Sequence, residues 1–107
     1  MRILEFNQLE SFISVVKHKS FSQAAKEFYI TQPTVSNNIQ SLEKELNTTL
    51  LDRTSKDITL TEAGRKLYEF AVELINTRDK ARHTIMDHSE KIEGEIEISA
   101  SSIPEQY

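Results

Sequence analysis

The sequence predicts a mostly α-helical fold, with three short helices, a β-hairpin and one long final helix. Two observations carry this. Apolar residues recur at helical spacing in several separate segments, and the 107 residues include only 2 Gly and 2 Pro to interrupt them. Between Leu50 and Leu60, two short β-type runs flank a polar turn. The length suits one small domain.

Leu9, Phe12, Ile13 and Val16 follow the i, i+3, i+4, i+7 pattern of a first amphipathic helix, from about Phe6 to Lys17. Lys17, His18 and Lys19 close it with cations near the negative end of the helix dipole. The run SFSQAAKEF, Ser20 to Phe28, opens with the S-x-x-Q signature of a capping box from Ser20 to Gln23. Ala24 and Ala25 let another helix approach closely, and Phe21 and Phe28 are expected in the core. Tyr29-Ile30 is a tight turn.

The next stretch, TQPTVSNNIQSLEKEL, reads as a helix with two faces. Thr31 is suited to cap it, and Pro33 sits in the first turn, where a missing N–H costs little. Val35, Ile39, Leu42 and Leu46 form the apolar stripe. The opposite side carries Gln32, Thr34, Ser36, Asn37 and Gln40, short hydrogen-bonding side chains without charge. An ordinary solvated face would carry Lys and Glu, as this helix does only at Glu43, Lys44 and Glu45. Amides can pair bidentately with adenine edges, and hydroxyls can reach bases or phosphates. Two short helices joined by a tight turn make a helix-turn-helix, whose second helix is suited to enter a DNA groove. The competing reading is a surface helix rich in amides.

Leu50-Leu51 and Ile58-Thr59-Leu60 surround the polar Thr54-Ser55-Lys56-Asp57, the pattern of a hairpin or wing. Arg53 and Lys56 are placed to meet a phosphate backbone or a minor groove; a solvated turn would carry the same charges. Thr61 caps the long helix, with Glu62 in the favourable first turn. Along it, Leu67, Ala71, Leu74, Arg78, Ala81, Ile85, His88 and Ile92 step alternately by four and three, a heptad pattern interrupted at Arg78 and His88. About 30 residues at 1.5 Å each span ~45 Å. A second copy of the same helix is the economical partner for that stripe, which predicts a homodimer built on Leu67, Ala71, Leu74, Arg78, Ala81 and Ile85. The alternative partner is the remainder of a longer protein. Gly94 ends the helix. Glu95 to Ser99 alternates as a lone β-strand, the expected start of a second domain. The expected division is therefore 1–60, 61–93 and 94–107.

Composition narrows the function. The net charge of −4 is uneven: Met1 to Lys66 carries 9 basic and 8 acidic residues, and Leu67 to Tyr107 carries 4 and 9. A DNA-binding reading therefore needs few, well-placed phosphate contacts and more than one copy of the domain. There are no cysteines, in keeping with a cytoplasmic protein, and no apolar run long enough to cross a membrane. His83 and His88 are five apart and share no helix face, so no metal site is expected. No nucleophile, base and orienting residue cluster, and no glycine-rich phosphate loop is present; neither enzyme activity nor a cofactor is expected.

Taken together, SFSQAAKEF, ITQPTVSNNIQSLEKEL, LLDR and LTEAG at these spacings resemble the N-terminal domain of a LysR-type transcriptional regulator, over about Phe6 to Ile98. The resemblance implies a winged helix-turn-helix followed by a linker helix that pairs two subunits, then a hinge and a separate effector domain. It implies double-stranded DNA as partner, a tetramer in some full-length relatives, and a small anionic effector where the effector domain is present. The DNA-facing set it implies is Thr31, Gln32, Pro33, Thr34, Ser36, Asn37 and Gln40, with its wing arginine at Arg53; Ser22 and Lys56 complete the expected DNA-facing residues. Gln32 is the candidate base reader, and Thr31 and Ser36 are candidate phosphate ligands. Ser101 and Ser102 fall where relatives help to bind the coinducer. Three departures stand out. Asn47 replaces the usual Gly, Leu51 a common Phe, and Asn37 a frequent basic residue. The alternative function is a dimeric winged-helix module that binds protein and not DNA, which the near-neutral first 66 residues favour.

Overall fold

The computed structural model describes residues 4–54 and 57–94, the last six by backbone alone. In chain order the elements are α1 (Phe6–His18), α2 (Phe21–Phe28), α3 (Gln32–Leu46), β1 (Leu51–Asp52), β2 (Thr59–Leu60) and α4 (Glu62–Gly94). β1 and β2 pair antiparallel, Leu51 opposite Leu60 and Asp52 opposite Thr59. The chain packs as two units, Met1–Ile75 and Asn76–Tyr107. The expected strand over Glu95–Ser99, the side chain of Ile92, and Lys56, Ser101 and Ser102 lie outside the described residues.

Helix ends follow local chemistry. The Ser20 hydroxyl accepts the Gln23 N–H at 3.0 Å, and the Thr31 hydroxyl accepts the Thr34 N–H at 3.3 Å, as expected of N-caps. α1 starts on a signal the sequence reading passed over: Gln8 reaches back to accept the Glu5 N–H at 3.3 Å. Three helices stop without a glycine. Lys19, Tyr29 and Asn47 all take the left-handed conformation, with φ of 52°, 57° and 54°. Asn47 tolerates this, so the departure from Gly leaves the turn intact. At Lys19 and Tyr29 the conformation costs about 1 kcal/mol each. At Tyr29 the cost is offset by a double cap: its N–H bonds Lys26 O at 3.3 Å, and the Ile30 N–H bonds Ala25 O at 3.0 Å.

The core joins α1 to the helix pair. Leu9, Phe12 and Val15 of α1 are buried with Ala24 and Ala25 of α2, Val35, Ile39 and Leu42 of α3, and Leu50, Leu51 and Ala71. The Phe12 ring meets Tyr68 edge-on at 6.3 Å. Truncating a buried ring such as Phe12 to Ala would cost ~3–5 kcal/mol. Leu46, the fourth residue of the expected stripe, is partly exposed at the end of α3.

α1 also buries a polar row that the apolar pattern did not announce: Gln8, Ser11 and Ser14. Each has a partner, as buried polar groups require. Asn38 of α3 donates to Ser11 at 2.9 Å. Ser14 donates to Glu27 of α2 at 2.5 Å. The same Glu27 oxygen lies 3.1 Å from His18 Nε2, so His18 ties α1 to α2 and does more than cap a dipole.

The start of α4 is locked to the segment just before β1. The Thr61 N–H bonds Leu50 O at 3.0 Å, its hydroxyl donates to Thr49 O at 2.6 Å, and the same hydroxyl accepts the Gly64 N–H at 3.0 Å. A Cβ on Gly64 would sit 2.1 Å from Leu50 O, so no side chain fits there without moving backbone.

The Glu27 link generates a pH test. Its carboxyl is held below the ordinary value of 4.5, chiefly by the Ser14 hydroxyl; His18 and Lys17 act in the same direction against burial. A lowered folded pKa gives stability that is complete above the unfolded value and is lost as pH falls through the folded one. The melting-temperature gap between wild type and Glu27→Gln should therefore narrow below about pH 4.5, followed by circular dichroism. A gap of the same size well below that pH would show that the charge of Glu27 contributes nothing.

Candidate nucleic-acid interface

Burial of Val35, Ile39 and Leu42 on one side of α3 turns its other side outward. Thr31, Gln32, Pro33, Thr34, Asn37 and Gln40 are all exposed, while Ser36 is half-buried. The six exposed residues thus form one contiguous uncharged surface on the first half of the helix. Ser22 is exposed on α2, which precedes it. The Thr31 and Thr34 hydroxyls lie 2.7 Å apart, so they share a proton between them and leave acceptor and donor capacity for a ligand. The helix N-terminus adds the positive end of its dipole, although Pro33 has no N–H and the Thr34 N–H is already taken by the Thr31 hydroxyl. Asn38, between the exposed residues, is taken up by Ser11 and faces the interior.

The second half of α3 departs from expectation. Glu43 and Glu45 do not make a solvated face. One Glu43 oxygen accepts the Leu50 N–H at 2.8 Å and the Leu51 N–H at 3.2 Å, securing the first wing strand to α3. Glu45 accepts the Leu4 N–H at 2.9 Å. Arg53, at the base of the wing, is engaged as well. Its guanidinium carbon lies 5.3 Å from the centroid of the Phe21 ring, and Nη2 is 3.9 Å from the second Glu43 oxygen. The wing turn begins with Asp52, whose carboxylate accepts from the Thr54 hydroxyl at 2.6 Å and the Thr54 N–H at 3.0 Å. Those two bonds hold its pKa below the ordinary value.

The expected dimerisation residues divide. In the first unit, Ala71 is fully buried in the domain's own core and Leu67 packs against that core. Leu74 is 41% exposed, and Phe70, which the heptad count left out, is 63% exposed. In the second unit, Ala81 is exposed, Ile85 is 46% exposed, and Arg78 bonds its neighbour Asp79 at 2.8 Å. Along the sequence, Phe70, Leu74, Thr77 and Ala81 also step by four, three and four.

A three-helix core with an exposed second helix-turn-helix helix and an antiparallel wing defines a winged helix-turn-helix domain of the DNA-binding class. Residues 6–65 match the family described as "Bacterial regulatory helix-turn-helix protein, lysR family", and the chain belongs to that family. It is 38% identical over 102 residues to the HTH-type transcriptional regulator CysL of Bacillus subtilis, covering 95% of this chain and 34% of that protein. It is similar to the BenM DNA-binding domain crystallised with catB site 1 DNA, with TM-score 0.75 and 34% identity over 78% of this chain and 94% of that one. It is also similar to Vibrio fischeri DarR crystallised with DNA, with TM-score 0.77 and 38% identity over 84% of this chain and 30% of that one. The chain spans about a third of the length of most of the curated relatives it matches, CysL among them. Among the described residues, no helix is long and apolar enough to cross a membrane, and no cluster of His, Cys, Asp and Glu is arranged to hold a metal.

Proposed function

We propose that this chain reads double-stranded DNA as a homodimer, each copy placing the first half of α3 in a major groove of a near-palindromic operator. The observation that carries the reading is the exposed, uncharged amide and hydroxyl face of α3, on a domain of the same family as BenM and DarR, whose structures were solved with DNA. Gln32 is the base reader, with Asn37 and Gln40 further along the same face. Thr31, Thr34 and Ser36 bind phosphates, with Pro33 fixing the first turn and Ser22 approaching from α2. Arg53 and Lys56 meet the backbone beside the wing. The near-neutral charge of residues 1–66 makes such binding depend on two copies, with recognition helices roughly 34 Å apart.

The dimer forms through the long helix, with Phe70, Leu74, Ala81 and Ile85 carrying the contact. Leu67 and Ala71 support it from the domain side. In a longer protein, the segment after Gly94 leads into an effector domain, with Ser101 and Ser102 near an anion pocket. The protein works in the cytoplasm, and a tetramer is the expected form if that domain adds a second interface.

Two measurements test this. Gln32→Ala should cost roughly 1–3 kcal/mol of binding and relax preference at one base pair; an unchanged specificity profile would remove Gln32 from base readout. Replacing Leu74 and Ile85 with Glu should give monomers in sedimentation while the thermal transition persists, because both side chains are exposed. A dimer that survives both changes would place the interface elsewhere.

A further inference from the structure

We propose that Glu43 and Phe21 are positioning residues for DNA binding, holding Arg53 in the geometry in which it meets the backbone. The inference rests on the DNA-reading function above and assigns parts to two residues outside its contact set.

Three observations meet at Arg53. Phe21, the first residue of α2, presents its ring 5.3 Å from the guanidinium carbon, within cation–π range. Glu43 uses its two oxygens differently. One accepts the N–H groups of Leu50 and Leu51, at 2.8 and 3.2 Å, and so anchors the strand that leads to Arg53. The other lies 3.9 Å from Arg53 Nη2, an ion pair at the long end of the range. Helix α2, helix α3 and the wing are thereby tied together through one side chain. The Arg53 side chain is still 40% exposed. It also lines an open concavity of about 320 Å³ together with the carboxylates Glu43 and Asp52 and with Thr49, Thr54 and Thr61.

Long arginine side chains lose rotamer freedom when they bind phosphate. A guanidinium already stacked and paired loses less at the moment of binding. The long ion-pair distance suits this: Glu43 orients Arg53 without saturating its five donors.

The claim runs against simple charge counting. Deleting a carboxylate near a DNA-binding surface would ordinarily strengthen binding, by reducing repulsion of phosphates. Positioning predicts the reverse.

The test uses the intact chain and the DNA motif that wild type selects from a random duplex pool, with affinities measured over a range of salt concentrations. Glu43→Gln keeps an acceptor oxygen for the strand and removes the charge; Phe21→Leu keeps apolar volume and removes the ring. Each should weaken binding about three- to tenfold, the scale of one unfrozen side chain. In an Arg53→Ala background, neither change should cause further loss, because the residue it positions is gone. Tighter binding by Glu43→Gln would overturn the proposal. So would the same fold-loss with and without Arg53, which is what a purely structural role predicts. If Glu43→Gln does not melt cooperatively, Phe21→Leu carries the cycle alone. Wild type that selects no motif would instead overturn the DNA-reading function itself, and this inference with it.

Discussion

The arrangement depends on the burial of Val35, Ile39 and Leu42. A helix has one circumference, and once these three side chains enter the core the direction of every other residue on α3 is set. Gln32, Asn37 and Gln40 are presented to solvent for that reason, with no interaction of their own to hold them there. α1 supplies the wall against which the stripe packs, through Leu9, Phe12 and Val15. The exposed, uncharged face of α3 is thus the far side of a hydrophobic contact.

Hydrophobic contact alone leaves helices able to slide, because dispersion and burial are weakly directional. A few directional bonds remove that freedom. Asn38 to Ser11 joins α3 to α1, and Ser14 to Glu27 joins α1 to α2. Glu43 joins α3 to the first wing strand. Thr61 joins the long helix to Leu50, where the missing Cβ of Gly64 permits backbone contact. Each involves a partly buried group, so leaving one partner unpaired costs more than the bond itself contributes. The wing and α3 consequently share one frame.

Much of this was legible in the sequence. The 3.6-residue period of α3, the Thr31 cap and the paired β-runs around the wing turn are local signals, and the four helices and the two wing strands formed within a residue or two of expectation. Asn47 took the left-handed turn that its side chain tolerates. The residues that escaped were those whose partners are distant in sequence. Glu43 and Glu45 have the charge of a solvated face, and only the positions of Leu50, Leu51 and Leu4 turn them into acceptors for backbone N–H groups. Ser11 and Ser14 interrupt an apolar pattern, and nothing local says that Asn38 and Glu27 satisfy them. The long helix was legible only in part, for a related reason. Its first turns carry two adjacent apolar stripes, one through Leu67 and Ala71 and one through Phe70 and Leu74. The period is the same for both, and only the position of the domain's core distinguishes them.

The central claim is that two copies of this domain read a symmetric DNA site with few phosphate contacts. In vitro selection from a random duplex pool, with salt titration of the winners, tests it most directly. The account predicts a two-fold symmetric motif with half-sites about one helical turn apart, and affinity that falls with salt by the modest slope of few phosphate contacts. Failure to enrich any motif, with the dimer intact in sedimentation, would contradict it and turn the exposed face of α3 toward a protein partner.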